Sequence, residues 1–379
     1  MIRASFDRLP VVFDSGGDSI MSKRGDGAGV RGWPVRRSSF ALSAIFPLLL
    51  MLGYALSGCA TTSIREGELR CPTTFDNALG RDEVSLRWFG TAGYEIRYRD
   101  TVVLIDPFLT RPELAQTVLW NAPLASDEAA IDRHIDRADY IFISHSHYDH
   151  LMDAPHIAIK TGATIFGSKT TCMIAQSLGV DAPQSRCVAS GDVIDAGPMR
   201  VTVVGSRHAK MFGAVHNDGR HDEPLAEPLR ERHYKLGSIF GFLIEVAGVK
   251  IYHHGSADLI DANLESLVGR VDVLILGIAG WQNTPAYVPR MLSVTQPGLL
   301  IPTHHDAFFL PYDDGVVLLG GVGFDAFVGQ VRGHRPDTRI LTLDFFQEYR
   351  HPVSRSPSQV AQTPDPAAAE KHRRPVPDA

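Results

Sequence analysis

Charge is missing from one stretch of this chain: no Asp, Glu, Lys or Arg occurs from Ser38 to Ile64. Cysteine is scarce, at four in 379 residues, which is too few for a scaffold built on disulfides. A basic excess is also absent. The 37 Lys and Arg against 43 Asp and Glu give a net charge of -6, which argues against a nucleic-acid partner. There is no Gly-x-Ser-x-Gly elbow and no phosphate-binding P-loop, so serine hydrolases and nucleoside triphosphatases are disfavoured. No repeat of fixed period runs through the chain. With 44% hydrophobic and 21% charged residues the composition is that of a globular protein. What stands out is histidine, at 16.

The charge-free stretch contains the apolar run Phe40 to Leu56, preceded by Arg31, Arg36 and Arg37. A basic region, an apolar region and small residues in that order describe a secretory signal. Pro47 and Gly53 interrupt the run, and it is short for a membrane span. It ends in Leu56-Ser57-Gly58-Cys59, which resembles a bacterial lipobox. That resemblance implies lipidation at Cys59, membrane attachment through it, and a place in the bacterial cell envelope. Ala60, rather than aspartate, follows the cysteine, which implies the outer membrane, facing the periplasm. Met21, followed by Ser-Lys-Arg, makes a better start than Met1, because Asp7, Asp14 and Asp18 fit a signal poorly. In an oxidising compartment Cys172 and Cys187 either pair or remain two buried thiols.

The expected organisation is a signal over residues 1–58, a lipid-anchored tether over 59–83, one domain over 84–350, and a proline-rich disordered tail over 351–379. Val84 to Phe89, Gly93 to Tyr98 and Thr101 to Ile105 read as a meander of strands. Short strands then alternate with helices, among them Ala154–Thr161, Lys169–Leu178, Asp258–Val268, Tyr287–Ser293 and Asp325–Arg332. This alternation predicts an α/β domain.

The chemistry gathers at Ser144-His145-Ser146-His147-Tyr148-Asp149-His150, directly after the apolar strand Tyr140–Ile143. On extended backbone, residues two apart face the same way, so His145 and His147 can converge on one metal ion. A turn then brings Asp149 and His150, at a helix start, to the same pocket. Imidazole and carboxylate suit Zn2+ and related first-row ions, with manganese or iron as alternatives.

This His-x-His-x-Asp-His run resembles the metallo-β-lactamase fold superfamily. Trp88-Phe-Gly-Thr-Ala-Gly-Tyr-Glu-Ile and Leu104-Ile-Asp-Pro-Phe-Leu resemble the opening of its UlaG-like and N-acylphosphatidylethanolamine phospholipase D-like branches. Those branches often carry histidine where this chain has Thr91. The resemblance implies a four-layer αββα sandwich. It also implies a first metal site of His145, His147 and His208, and a second of Asp149, His150 and His304, with His305 as the fallback for His304. Asp106 would orient a metal-binding imidazole. The family's usual Gly-Asp pair reads Gly255-Ser256 here, so the bridging aspartate is missing. Asp258 swings in, Ser256 or a water takes the place, or one site binds weakly.

A metal-dependent hydrolase follows as the expected activity, with one or two ions and a zinc-bound hydroxide as nucleophile. Asp149 would both bind metal and orient that nucleophile. The expected substrate is a phosphoester or ester, and the anchor points to a lipid-linked one. A lactonase or β-lactamase-like amidase is the alternative, and a weakly catalytic metal-binding envelope lipoprotein is a third reading. The long polar segment from Ala209 to Gly237 is expected to overhang the metals or to be a disordered insertion. Trp281, Tyr287, His253 and His254 either line the pocket or pack. Oligomeric state has no sequence signal.

Overall fold

A computed structural model describes residues 69–71, 78–211, 213–269 and 271–353 of the chain. The expected signal, Cys59 and most of the expected tail lie outside the described residues. Among the described residues, no helix is long and apolar enough to cross a membrane.

The domain is built on two seven-stranded sheets. The first holds β1 (Glu83–Gly90), β2 (Gly93–Tyr98), β3 (Thr101–Ile105), β4 (Tyr140–Phe142), β5 (Thr164–Gly167), β6 (Ser185–Cys187) and β14 (Glu348–Pro352), in the order β14-β1-β2-β3-β4-β5-β6. The second holds β7 (Val193–Ala196), β8 (Met199–Gly205), β9 (Phe240–Val246), β10 (Val249–His254), β11 (Val273–Gly277), β12 (Leu299–Thr303) and β13 (Arg339–Ile340), in the order β13-β12-β11-β10-β9-β8-β7. Each sheet is antiparallel where hairpins join its strands. Each turns parallel where helices cross over, from β3 to β6 and from β10 to β13.

Three apolar clusters define the layers. Trp88, Ile96, Ile105 and Phe142 meet Val201, Phe242, Ile251 and Ile275 between the sheets. The outer face of the first sheet, with Leu104, Ile141 and Ile165, is covered by α1 (Glu128–His134), α2 (Tyr148–Leu151), α3 (Ala154–Thr161) and α4 (Lys169–Ser177). The outer face of the second, with Leu274, Leu276 and Leu300, is covered by α5 (Tyr287–Thr295) and α6 (Phe324–His334). This is the expected αββα sandwich. Strands buried on both faces explain the apolar runs of β3, β4 and β11, which show no alternation.

Local signals set the helix ends. Asp127 caps α1 by accepting the Ala130 amide at 3.0 Å, and Ser168 caps α4 through the Thr171 amide at 3.1 Å. Gly162, at φ 80°, ends α3 where a side chain would be strained.

Several expectations change. The helix expected over Asp258–Val268 is a 3-10 helix over Asp261–Leu267, because Asp258 bridges to Arg207 and its backbone is taken out of helical register. The tether is not free throughout. Leu69 and Cys71 are buried, and the Leu69 carbonyl accepts the Thr342 amide at 2.6 Å while the Cys71 amide donates to Thr342 at 3.0 Å. The domain also runs past residue 350, since His351 and Pro352 complete β14 against Glu83 and Val84. Cys172 and Cys187 are joined as a disulfide, and Cys71 is a free, buried thiol.

Candidate metal centre

β4 ends at Phe142, and the chain runs on outside regular structure, bending at Ser144, to His147, at φ -62° and ψ 152°, before α2 begins at Tyr148. That change of backbone divides the histidine run. His145 and His147 sit on the irregular segment before the helix, and Asp149 and His150 on the first turn of α2. All four are buried.

Two triads result. His145, His147 and His208 each present a ring nitrogen within 4.8 Å of the others, and so do the ligand atoms of Asp149, His150 and His304. The two triads adjoin, since the rings of His145 and His150 are 3.9 Å apart at their centroids.

Hydrogen bonds decide which nitrogen of each ring is free. His147 donates Nε2–H to the His216 carbonyl at 3.0 Å, leaving Nδ1 with its lone pair 3.1 Å from Nε2 of His145. His208 donates Nδ1–H to the Ala209 carbonyl at 2.7 Å, leaving Nε2. His145 has Ser144 Oγ at 3.2 Å from its Nδ1, which likewise leaves Nε2. Neighbouring ligands around a tetrahedral zinc, at ~2.0–2.1 Å from the ion, lie roughly 3.3 Å apart, close to the 3.1 Å between the His145 and His147 nitrogens.

In the second triad, His150 donates Nδ1–H to Asp106 Oδ2 at 2.8 Å. Its Nε2 is buried without a hydrogen-bond partner and lies 3.6 Å from Asp149 Oδ2. Nε2 of His304 is 3.3 Å from the same oxygen. Asp106 is fully buried and also accepts the Ser144 amide at 2.6 Å and the Ser144 hydroxyl at 2.5 Å. Its backbone is held at φ 45°, a conformation costly for a residue other than glycine.

Electrostatics agree with cation binding. Burial, helped by the neighbouring imidazoles, pushes His145 well below its ordinary pKa, and burial takes His208 down to about 4. Burial and His208 lower His147 too. All three are then neutral, which is the ligating form. For Asp149, burial works against ionisation, but His150, His304 and His147 outweigh it and lower its pKa. For His150, burial disfavours charge, and the carboxylates of Asp149 and Asp106 overcome it and raise the pKa. Carboxylates that hold a proton on His150 attract a metal cation on the same grounds. Both triads therefore fit a divalent ion.

Other sequence candidates are placed elsewhere. His305 is stacked on Trp88 at 5.1 Å and packs near Phe324, so it is a core residue and not the alternative to His304. Asp258 turns its carboxylate to the Leu259 amide at 2.7 Å, and its backbone carbonyl accepts from Ser206 and His254. It belongs to neither triad. Ser256 is buried, and its hydroxyl has no hydrogen-bond partner. His253 donates to the Ala92 carbonyl at 2.8 Å, and His254 is held by Tyr252 and Asp258. Both are structural. Trp281 and Tyr287 are buried, with Tyr287 donating to the carbonyls of Ser256 and Gly277.

The segment Ala209–Gly237 is packed in place around the first triad. His216 offers its carbonyl to His147 and pairs its own ring with Glu231 at 2.6 Å. The Leu236 carbonyl accepts the Ser146 amide at 3.0 Å. Sequence reasoning missed this contact because the working group is a backbone carbonyl, which no side-chain pattern encodes. It also missed Asp306 and Arg111, which form a buried ion pair at 2.6 Å.

A family model described as a beta-lactamase superfamily domain matches residues 101–306. A UPF0173 metal-dependent hydrolase of Anaeromyxobacter sp. (strain K) is 30% identical over 239 residues, covering 61% of this chain and 77% of that protein. A UPF0173 metal-dependent hydrolase of Archaeoglobus fulgidus is 28% identical over 233 residues, covering 61% of this chain and 87% of that protein. Among solved structures, Igni18, a metallo hydrolase from Ignicoccus hospitalis, is 16% identical and covers 72% of this chain and 100% of that chain, with a TM-score of 0.49.

Proposed function

We infer, from a chain that belongs to the metallo-β-lactamase superfamily and is one of its metal-dependent hydrolases, that the substrate is an anionic ester, with a phosphodiester the best fit. The observation that carries this is the charge of the donor set. Six side chains form the two triads, and Asp149 is the only carboxylate among them. Serine stands at 256, where the resembled family usually carries aspartate, and Asp258 is committed to the Leu259 amide. One or two divalent ions, zinc by the imidazole-rich donor set and manganese or iron as alternatives, would supply a Lewis acid and lower the pKa of a water to about 7. A centre with one carboxylate ligand keeps a large positive excess. A phosphodiester brings a negative charge to it, and a neutral lactone does not.

The roles of the chain's own residues follow. His145, His147 and His208 hold three neutral nitrogens toward one point. Asp106 keeps His150 in the tautomer that leaves its Nε2 free, and the His216 carbonyl does the same for Nδ1 of His147. Asp149, kept ionised by its imidazole neighbours, accepts a hydrogen bond from the attacking water and so orients it. The segment around His216 and Leu236 shields the first triad on one side.

The lipid link and the envelope location rest on the apolar run Phe40–Leu56 and on Cys59. On this reading the acyl chain holds the domain at a bilayer, and the phosphodiester is carried by a lipid. A metal-loaded panel of bis-p-nitrophenyl phosphate, vesicle-borne phospholipids and neutral lactones tests the substrate class. Phosphodiester turnover that is lost in His145→Ala supports it. Faster turnover of lactones would overturn it.

A further inference from the structure

We propose that Arg111 is a positioning residue for the second metal site, acting on His304 through Asp306 and Thr91. The inference rests on the reading that the Asp149–His150–His304 triad holds a metal ion.

The chain of contacts is continuous. Arg111 donates Nη2–H to Asp306 Oδ2 at 2.6 Å and Nε–H to the Leu310 carbonyl at 2.7 Å. Its guanidinium carbon lies 4.7 Å from the ring centroids of both Tyr312 and Phe345. Asp306 uses its other oxygen, Oδ1, to accept the Thr91 amide at 2.8 Å. The Thr91 carbonyl then accepts the His304 amide at 2.7 Å and the Thr303 hydroxyl at 2.5 Å. Both Thr91, at φ 51°, and His304, at φ 56°, sit in the left-handed region. Residues other than glycine stay there only when their surroundings fix them. The hydrogen bond between the two strained residues ties the β1–β2 turn to the end of β12, and Asp306 and Arg111 lock the tie.

The packing leaves no slack. The ion-pair side chains are 4% and 0% exposed. A Cβ added to Gly90 would lie 2.5 Å from Arg111 Nη1 and 3.2 Å from Asp306 Oδ2. The guanidinium fork reaches a third acceptor, the Ala307 carbonyl at 3.3 Å from Nη2, and lysine offers no such fork.

Arg111 belongs to the segment that follows β3. Its first residue is Asp106, which orients His150. Its middle is pinned by Asp153, whose carboxylate accepts the Leu109 and Thr110 amides at 2.6 and 2.7 Å. The single segment 106–111 thus orients both imidazoles of the second triad and neither of the rings at His147 and His208.

The test is zinc stoichiometry by equilibrium dialysis and elemental analysis of the full-length protein, with cobalt absorption as a second readout. Arg111→Met and Asp306→Asn are compared with the parent and with His304→Ala. The expected result is two equivalents for the parent and one for both variants, with tight binding retained at the first triad and the same cobalt band lost as in His304→Ala. Arg111→Lys should give an intermediate affinity for the second equivalent. Two equivalents with parent affinity in folded Arg111→Met or Asp306→Asn would overturn the proposal. Equal weakening of both equivalents would overturn it too, since that is what general destabilisation produces. A parent that binds no second equivalent would instead remove the reading of the triad as a metal site.

Discussion

Asp106→Asn is nearly isosteric, and asparagine tolerates the φ of 45° at this position better than most residues. Its effect can be worked out from three donors. Asp106 accepts from the Ser144 amide, the Ser144 hydroxyl and His150 Nδ1–H. Asparagine has one oxygen and one NH2. If the NH2 takes the place of Oδ1, it meets the Ser144 amide donor-to-donor, and a buried N–H is left unpaired at about 1–3 kcal/mol. If it takes the place of Oδ2, the serine hydroxyl can turn and accept. His150, however, must then move its proton to Nε2, the nitrogen that faces Asp149. In that tautomer His150 cannot ligate. Either way the charge behind His150 is gone. Loss of such a partner typically weakens a metal site about 10–100-fold, which is roughly 1.4–2.8 kcal/mol. Competition titration against a chelator reads the two equivalents separately. The second should weaken by that factor and the first by less, since Asp106 reaches the first triad only through the Ser144 hydroxyl beside His145. A folded Asp106→Asn protein with parent affinity at both sites would refute the reasoning.

Three further outcomes follow. His254 and His305, buried, have pKa values pushed down to about 4. Each contributes stability that is present above its unfolded value near 6.5 and lost as pH falls toward 4, up to about 3 kcal/mol per group. The urea midpoint of the metal-free protein should therefore drop between pH 7 and 4.5, and a flat profile would contradict this. Gly90→Ala forces a Cβ onto Arg111 at φ 101° and should cost about 1–3 kcal/mol in thermal unfolding. Cys172→Ser removes a bridge across a separation of 15 residues, and denaturant unfolding should show a loss of about 3 kcal/mol.

The parts of the fold that show in the sequence are those in which one strand or helix carries its own pattern. The meander β1–β3 and the helix Ala154–Thr161 are of that kind. The His145 run was legible because the two-residue spacing after a strand and a helix start place its ligands without help from distant residues. β14 was not, because Glu348–Pro352 is half polar and becomes a strand only by pairing with β1 at the other end of the chain. Leu69–Cys71 was hidden for the same reason, since its order comes from Thr342. The choice between His304 and His305 needed the third dimension. Adjacent residues on one strand end point to opposite sides, and only the structure puts Trp88 against one of them. Arg111 and Asp306 carry no metal-site signature. Their effect on His304 passes through the backbone of Thr91, the residue whose side chain departs from the expected histidine.

The central claim is that the two triads hold the metal ions. Anomalous diffraction at the zinc edge from zinc-loaded crystals tests it most directly. One peak should lie among His145, His147 and His208, and an adjoining one among Asp149, His150 and His304. Zinc-loaded crystals with no anomalous peak at either triad would contradict it.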